Sequence, residues 1–181
     1  MNCHKLFQEF NGKITLANSK QASLKNSRKA LRKKIRDYFD DNKWDRPKFT
    51  SQGSFPLQTN LNPIKEKDKD GETIEPYDLD DGVYIICAES ERLSVDAYHS
   101  RILNAVENHA KDEVDKTTCV RVCFADGHHI DLPIYWLEKD GDIPLLAHKA
   151  KGYIESDPKA FTTWVQEQIN KANLIQSGQL L

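Results

Sequence analysis

From Tyr77 to Cys87 the chain reads YDLDDGVYIIC. This β-branched and aromatic run predicts a strand. Asp78 and Asp80 sit two residues apart on it, so both carboxylates project from the same face with their Cα atoms roughly 6 to 7 Å apart. Two acids beside Leu79, Val83, Ile85 and Ile86 constrain the fold strongly, because ionised carboxylates near apolar walls are costly unless a cation or hydrogen bonds compensate them. Asp81 points to the opposite face of the strand and reads as a structural residue.

A third acid has the same setting. Thr117 to Phe124 alternates Val120, Val122 and Phe124 with Cys119, Arg121 and Cys123, and Ala125-Asp126-Gly127 turns the chain into His128 to Trp136, where Ile130, Leu132 and Ile134 alternate likewise. The pattern predicts an antiparallel hairpin with Asp131 on its second strand. Three carboxylates converging on strands suit a two-magnesium phosphoryl-transfer site, since hard oxygen ligands hold the ions that bridge phosphate oxygens. Asp78, Asp80 and Asp131 are therefore the candidate metal ligands and catalytic residues, with Mg²⁺ the expected cofactor and Mn²⁺ an alternative.

Upstream, Gln52-Gly53-Ser54 follows a short strand that begins at Phe49. A glycine there lets backbone N–H groups approach a phosphate, and the serine hydroxyl donates a further hydrogen bond. These three residues are the candidate nucleotide-binding turn. A lone Gly-Ser is weak evidence, but one lying 24 residues before an Asp-x-Asp strand is more specific.

The rest of the chain reads as scaffold. Leu24, Leu31, Ile35, Tyr38 and Phe39 form one stripe of a long amphipathic helix over 19–42, with Lys25, Arg28, Lys29, Arg32, Lys33 and Arg36 around it as a solvated basic face. A helix over about 94–111 carries Val95, Tyr98, Ile102, Val106 and Ala110 inward. A last helix begins at Ser156-Asp157-Pro158, an N-cap followed by proline at the first helical position, and is expected to bury Phe161, Trp164, Val165, Ile169 and Ala172. Residues 60–75 are polar and read as a loop. Within it Glu66, Asp68, Asp70 and Gly71 imitate the start of a calcium loop, but its twelfth position is Tyr77, which excludes calcium. The order predicts an α+β fold: a mixed, mainly antiparallel sheet backed by the helices over 94–111 and 157–173, with a long N-terminal helix.

Composition narrows the function. The 181 residues, 38% of them hydrophobic, suffice for one core, and no stretch approaches the length of apolar sequence that spans a membrane. The start, MNCHKLFQEFNGK, lacks the features of a signal or transit peptide, which points to the cytoplasm and to reduced thiols at Cys3, Cys87, Cys119 and Cys123. A net charge of -2 gives no overall basic field for long nucleic acid. Zinc between Cys119 and Cys123 is disfavoured, since residues four apart on a strand are separated by about 13 Å.

Gln-Gly-Ser-Phe at 52–55 with Thr59, DLDDG at 78–82, HIDLPIY at 129–135, and Ser156-Asp157-Pro158-Lys159 with Trp164 together resemble the Polβ-like nucleotidyltransferases, and more narrowly the DncV-type cyclic-oligonucleotide synthases, the CD-NTases. The resemblance implies that Asp78, Asp80 and Asp131 hold two magnesium ions, and that Gln52 and Ser54 contact a donor nucleotide. It also implies synthesis of a cyclic di- or oligonucleotide from ATP- and GTP-type substrates, a role in bacterial anti-phage (CBASS) signalling, and a downstream effector protein activated by the product. Residues 1–181 then correspond to the catalytic core, with its palm at 47–136 and a helical end at 156–176. Family members continue into a basic helix and a helical lobe, which this chain is expected to lack, so the piece alone is expected to bind nucleotide weakly and form little product. Two other readings share the same acids: a single-transfer nucleotidyltransferase of toxin or antibiotic-modifying type, and a catalytically incomplete nucleotide-binding module.

Overall fold

A computed structural model describes residues 3–67 and 71–176. Two helices open the chain, α1 (His4–Ile14) and α2 (Asn18–Asp41), followed by β1 (Lys48–Gln52) and a single turn, α3 (Ser54–Leu57). A two-stranded ribbon, β2 (Glu66–Lys67) and β3 (Thr73–Ile74), precedes the long strand β4 (Tyr77–Cys87). After helix α4 (Val95–Val106) come β5 (Asp112–Asp115), β6 (Cys119–Cys123), β7 (His128–Glu138), β8 (Leu145–His148) and β9 (Gly152–Glu155), and the helix α5 (Pro158–Gln176).

The main sheet has the order β1-β4-β7-β6-β5, with β8 joining β7 beyond the end of β6, and β9 joining β8. Only the central pair β4–β7 is parallel. Its two strands are linked through α4, the crossover that parallel neighbours require. One face of the sheet presents Leu79, Val83, Val120, Val122, Ile130, Leu132 and Ile134, all fully or almost fully buried. Against it lie Leu24, Leu31, Ile35 and Phe39 of α2 and Tyr98, Ile102 and Val106 of α4. Each such side chain contributes about 1.5–3 kcal/mol when taken from water, so this layer of two helices on one sheet face dominates the stability.

Polar ties fix α2 on the sheet. Arg32 forks onto the fully buried Asp81 with bonds of 2.6 and 2.5 Å, and Ser51 adds a third at 3.2 Å. At the β6–β7 turn, His128 joins Asp126 on one ring nitrogen and Ser27 of α2 on the other, at 2.5 and 2.9 Å. Gly127 sits there at φ 94°, which a side chain would strain. Asp81 thus has the structural role its strand position suggested.

Several sequence expectations need correction. The long helix and the hairpin stand where the patterns placed them, but α4 stops at Val106, with Asn108 in the left-handed region at φ 57°. The strand before the Gly-Ser turn ends at Gln52, because Ser54 opens a helical turn. Part of the expected loop pairs as β2–β3, and Asp68 and Asp70 lie outside the described residues. The last helix forms, with Asp157 Oδ1 accepting from the Ala160 N–H as its cap, but its apolar stripe is not buried: Phe161, Trp164 and Ile169 are 58, 56 and 45% exposed. Ala172 is also exposed and Val165 half-buried. This helix packs by β1 and α3, so α2 takes the backing place that had been expected for it.

Candidate active site

Opposite the helical layer, the sheet carries the acids. Strand alternation puts Asp78 and Asp80 on this face while Leu79 enters the core. Parallel pairing sets Asp80 directly beside Asp131, antiparallel pairing sets Gln52 beside Asp80 on the other side, and the hairpin sets Arg121 beside Asp131. Gln52, Asp80, Asp131 and Arg121 therefore form one row across four strands. A second row aligns Asp78 with His129 and Cys123.

The charges in the first row are unevenly matched. Burial, and then the neighbouring Asp78 and Asp131 carboxylates, push Asp80 up to about 6, with Arg121 opposing. Asp131 is 8% exposed and is matched: each of its oxygens accepts a 2.7 Å bond from Arg121. That fork raises the pKa of the Arg121 guanidinium, while burial and then Arg121 lower that of the His129 ring beside it. A cavity of about 360 Å³ opens at this end of the row, bounded by Arg121, Cys123, His129, Phe124, Lys111 and Glu66.

At the other end the turn closes on Asp80. Gly53 holds φ 68° and ψ −142°, and a β-carbon there would lie 2.6 Å from Asp80 Oδ2. Only glycine allows this approach. Ser54 Oγ accepts a 2.8 Å bond from Asn60 Nδ2, which also reaches the Asp78 carbonyl. Gln52 does not stand open to solvent: its side chain is 8% exposed and donates to the Tyr135 hydroxyl at 3.1 Å, with Oε1 unpaired among the described residues. Tyr135 in turn stacks on Tyr84 at 4.7 Å. The side chain of Gln52 thus turns into the floor beneath the site, while Gly53 and Ser54 form the turn above it.

The donor set fits a hard divalent cation in part. Asp78 and Asp80 offer neighbouring carboxylates, and among the described residues no cationic side chain bonds to Asp80, which is the chemistry magnesium takes. Among the described residues, however, no three His, Cys, Asp or Glu side chains are gathered closely enough to hold a metal. Asp131 is already engaged by the Arg121 fork, a partnership the sequence reading missed. The signal was present: Arg121 and Asp131 lie equally far from Asp126 at the hairpin turn, so antiparallel register makes them partners. Asn60 carried no comparable signal. The Cys119 thiol is buried and pushed up to about 12, the state of a structural cysteine.

Residues 47–135 match the family described as cyclic GMP-AMP synthase DncV-like, nucleotidyltransferase domain. A cyclic GMP-AMP synthase of Escherichia albertii is 29% identical over 142 residues, a match covering 75% of this chain and 29% of that protein. Among solved structures, the chain is similar to Vibrio cholerae DncV cyclic AMP-GMP synthase in complex with nonhydrolyzable GTP, with TM-score 0.70 and 23% identity, over 94% of this chain and 62% of the other. It is also similar to the Bradyrhizobium diazoefficiens CD-NTase CdnG in complex with GTP, with TM-score 0.65 and 21% identity, over 84% of this chain and 42% of the other. This chain therefore spans less than two thirds of each of these relatives. The structural likenesses establish the fold.

Proposed function

We propose, from the premise that residues 47–135 are a nucleotidyltransferase domain of the DncV-like family, that this chain supplies the catalytic palm of an enzyme making a cyclic di- or oligonucleotide from nucleoside triphosphates. The observation that carries the reading is the alignment of Asp80 and Asp131 on adjacent strands, with Asp78 on the same face and the Gly53 turn closed against Asp80. ATP and GTP are the proposed substrates, in keeping with the relatives whose structures contain GTP.

Asp78 and Asp80, with Asp131 as third ligand, would hold Mg²⁺, which when bound neutralises phosphate oxygens and favours in-line displacement. The chain's own groups do the positioning. Gly53 brings backbone N–H groups to the phosphates, Ser54 offers its hydroxyl, and Gln52 braces the floor through Tyr135. Such positioning supplies much of the rate in phosphoryl transfer. We extend the proposal to bacterial anti-phage signalling in the cytoplasm, with a separate effector responding to the product. Among the described residues no helix is long and apolar enough to cross a membrane.

Mass spectrometry of products formed by the protein at full gene length from Mg²⁺ and all four nucleoside triphosphates tests the reaction class. A cyclic product supports the proposal. A nucleotide joined to a protein or small molecule would replace it with single transfer, and magnesium-dependent binding without turnover would replace it with a binding module.

A further inference from the structure

Asp131 lies between two neighbours of opposite character. On β4, Asp80 is a half-buried carboxylate crowded by other acids, while on β6 Arg121 covers both Asp131 oxygens at 2.7 Å. A carboxylate offers about four lone-pair sites, and a forked guanidinium takes one from each oxygen. It also sets a fixed positive charge beside any cation that approaches. Arg121 is held in this place on both sides of the strand pair: its strand neighbours Val120 and Val122 are fully buried, and its own side chain is about three-quarters covered.

We propose that Arg121 is a positioning residue that withholds Asp131 from the metal site, so that in the free protein divalent cations are held by Asp78 and Asp80 alone, and weakly. This rests on the reading of these acids as metal ligands. It fits an arrangement in which three carboxylates share a face while both oxygens of one are taken up by a guanidinium. Full coordination then requires Arg121 to leave its fork, which couples metal binding to whatever draws the guanidinium away. A lone carboxylate cluster would bind cations irrespective of Arg121.

Calorimetric titration of the protein with Mn²⁺, without nucleotide, tests the inference in wild type, Arg121→Gln, Arg121→Lys, Asp131→Asn, Arg121→Gln/Asp131→Asn and Asp80→Asn. Loss of the fork should tighten Mn²⁺ binding about tenfold in Arg121→Gln, the scale of one charge-assisted interaction. Arg121→Lys keeps the charge but cannot fork, and should show a smaller gain. The gain should vanish when Asp131→Asn is present, which a merely structural role would not produce. Unchanged or weaker binding in folded Arg121→Gln and Arg121→Lys, with Asp80→Asn still lowering affinity, overturns the withholding role alone. Unchanged binding in Asp80→Asn overturns the metal-site reading beneath it.

Discussion

A β-carbon on Gly53 would stand 2.6 Å from Asp80 Oδ2. The turn and the acid therefore occupy one space, and the backbone at φ 68° and ψ −142° is close to a region that only glycine enters freely. Gly53→Ala should cost roughly 1–3 kcal/mol in urea denaturation. It should also weaken Mn²⁺ binding by displacing Asp80, so a variant that loses neither stability nor metal affinity contradicts the packing described.

The raised pKa of Asp80 gives a pH dependence of definite sign. Its value is about 6 in the folded protein, above the model-peptide value near 4, so between these limits the folded state binds more protons than the unfolded state. The Asp80 contribution therefore destabilises progressively as pH rises from about 4 to 6 and persists above, by up to about 3 kcal/mol. Asp80→Asn removes that penalty, so its stability should gain on wild type across this window in paired denaturation curves. A difference that stays flat with pH shows that Asp80 is not crowded as described.

Much of this site was legible because strand periodicity is strict. YDLDDGVYIIC fixes which acids share a face, and the turn at Asp126 fixes the hairpin that carries Asp131. The pairing of Asp80 with Asp131 was not legible, since it depends on two strands brought together through α4. The apolar residues of α5 misled for a related reason: a helical stripe records that a face is apolar, not that something in the described structure covers it. The short strands β5, β8 and β9 carry too few residues for alternation to speak, and sheet pairing decides them.

The buried pair below the site gives a stability prediction. Asp81 is fully buried and meets Arg32 in two bonds, so truncating the arginine strands a carboxylate under the sheet. Arg32→Ala should cost about 3 kcal/mol or more. A loss below about 1 kcal/mol in chemical denaturation would mean that water or another cation reaches Asp81.

Exposure on α5 predicts the opposite outcome. With Trp164 more than half exposed, Trp164→Ser should change the stability of this chain by no more than about 0.5 kcal/mol. A loss of several kcal/mol in the same assay would restore the buried stripe that the sequence pattern suggested.

The most direct test compares nucleotide products of the protein at full gene length, with ATP, GTP and Mg²⁺, between wild type, Asp80→Asn and Asp131→Asn, each confirmed folded by circular dichroism. The account predicts a cyclic nucleotide and pyrophosphate from wild type and neither from the two variants, because both replacements are nearly isosteric and remove carboxylates aligned on adjacent strands. Undiminished synthesis by either variant would show that the row from Gln52 to Arg121 is not the catalytic centre.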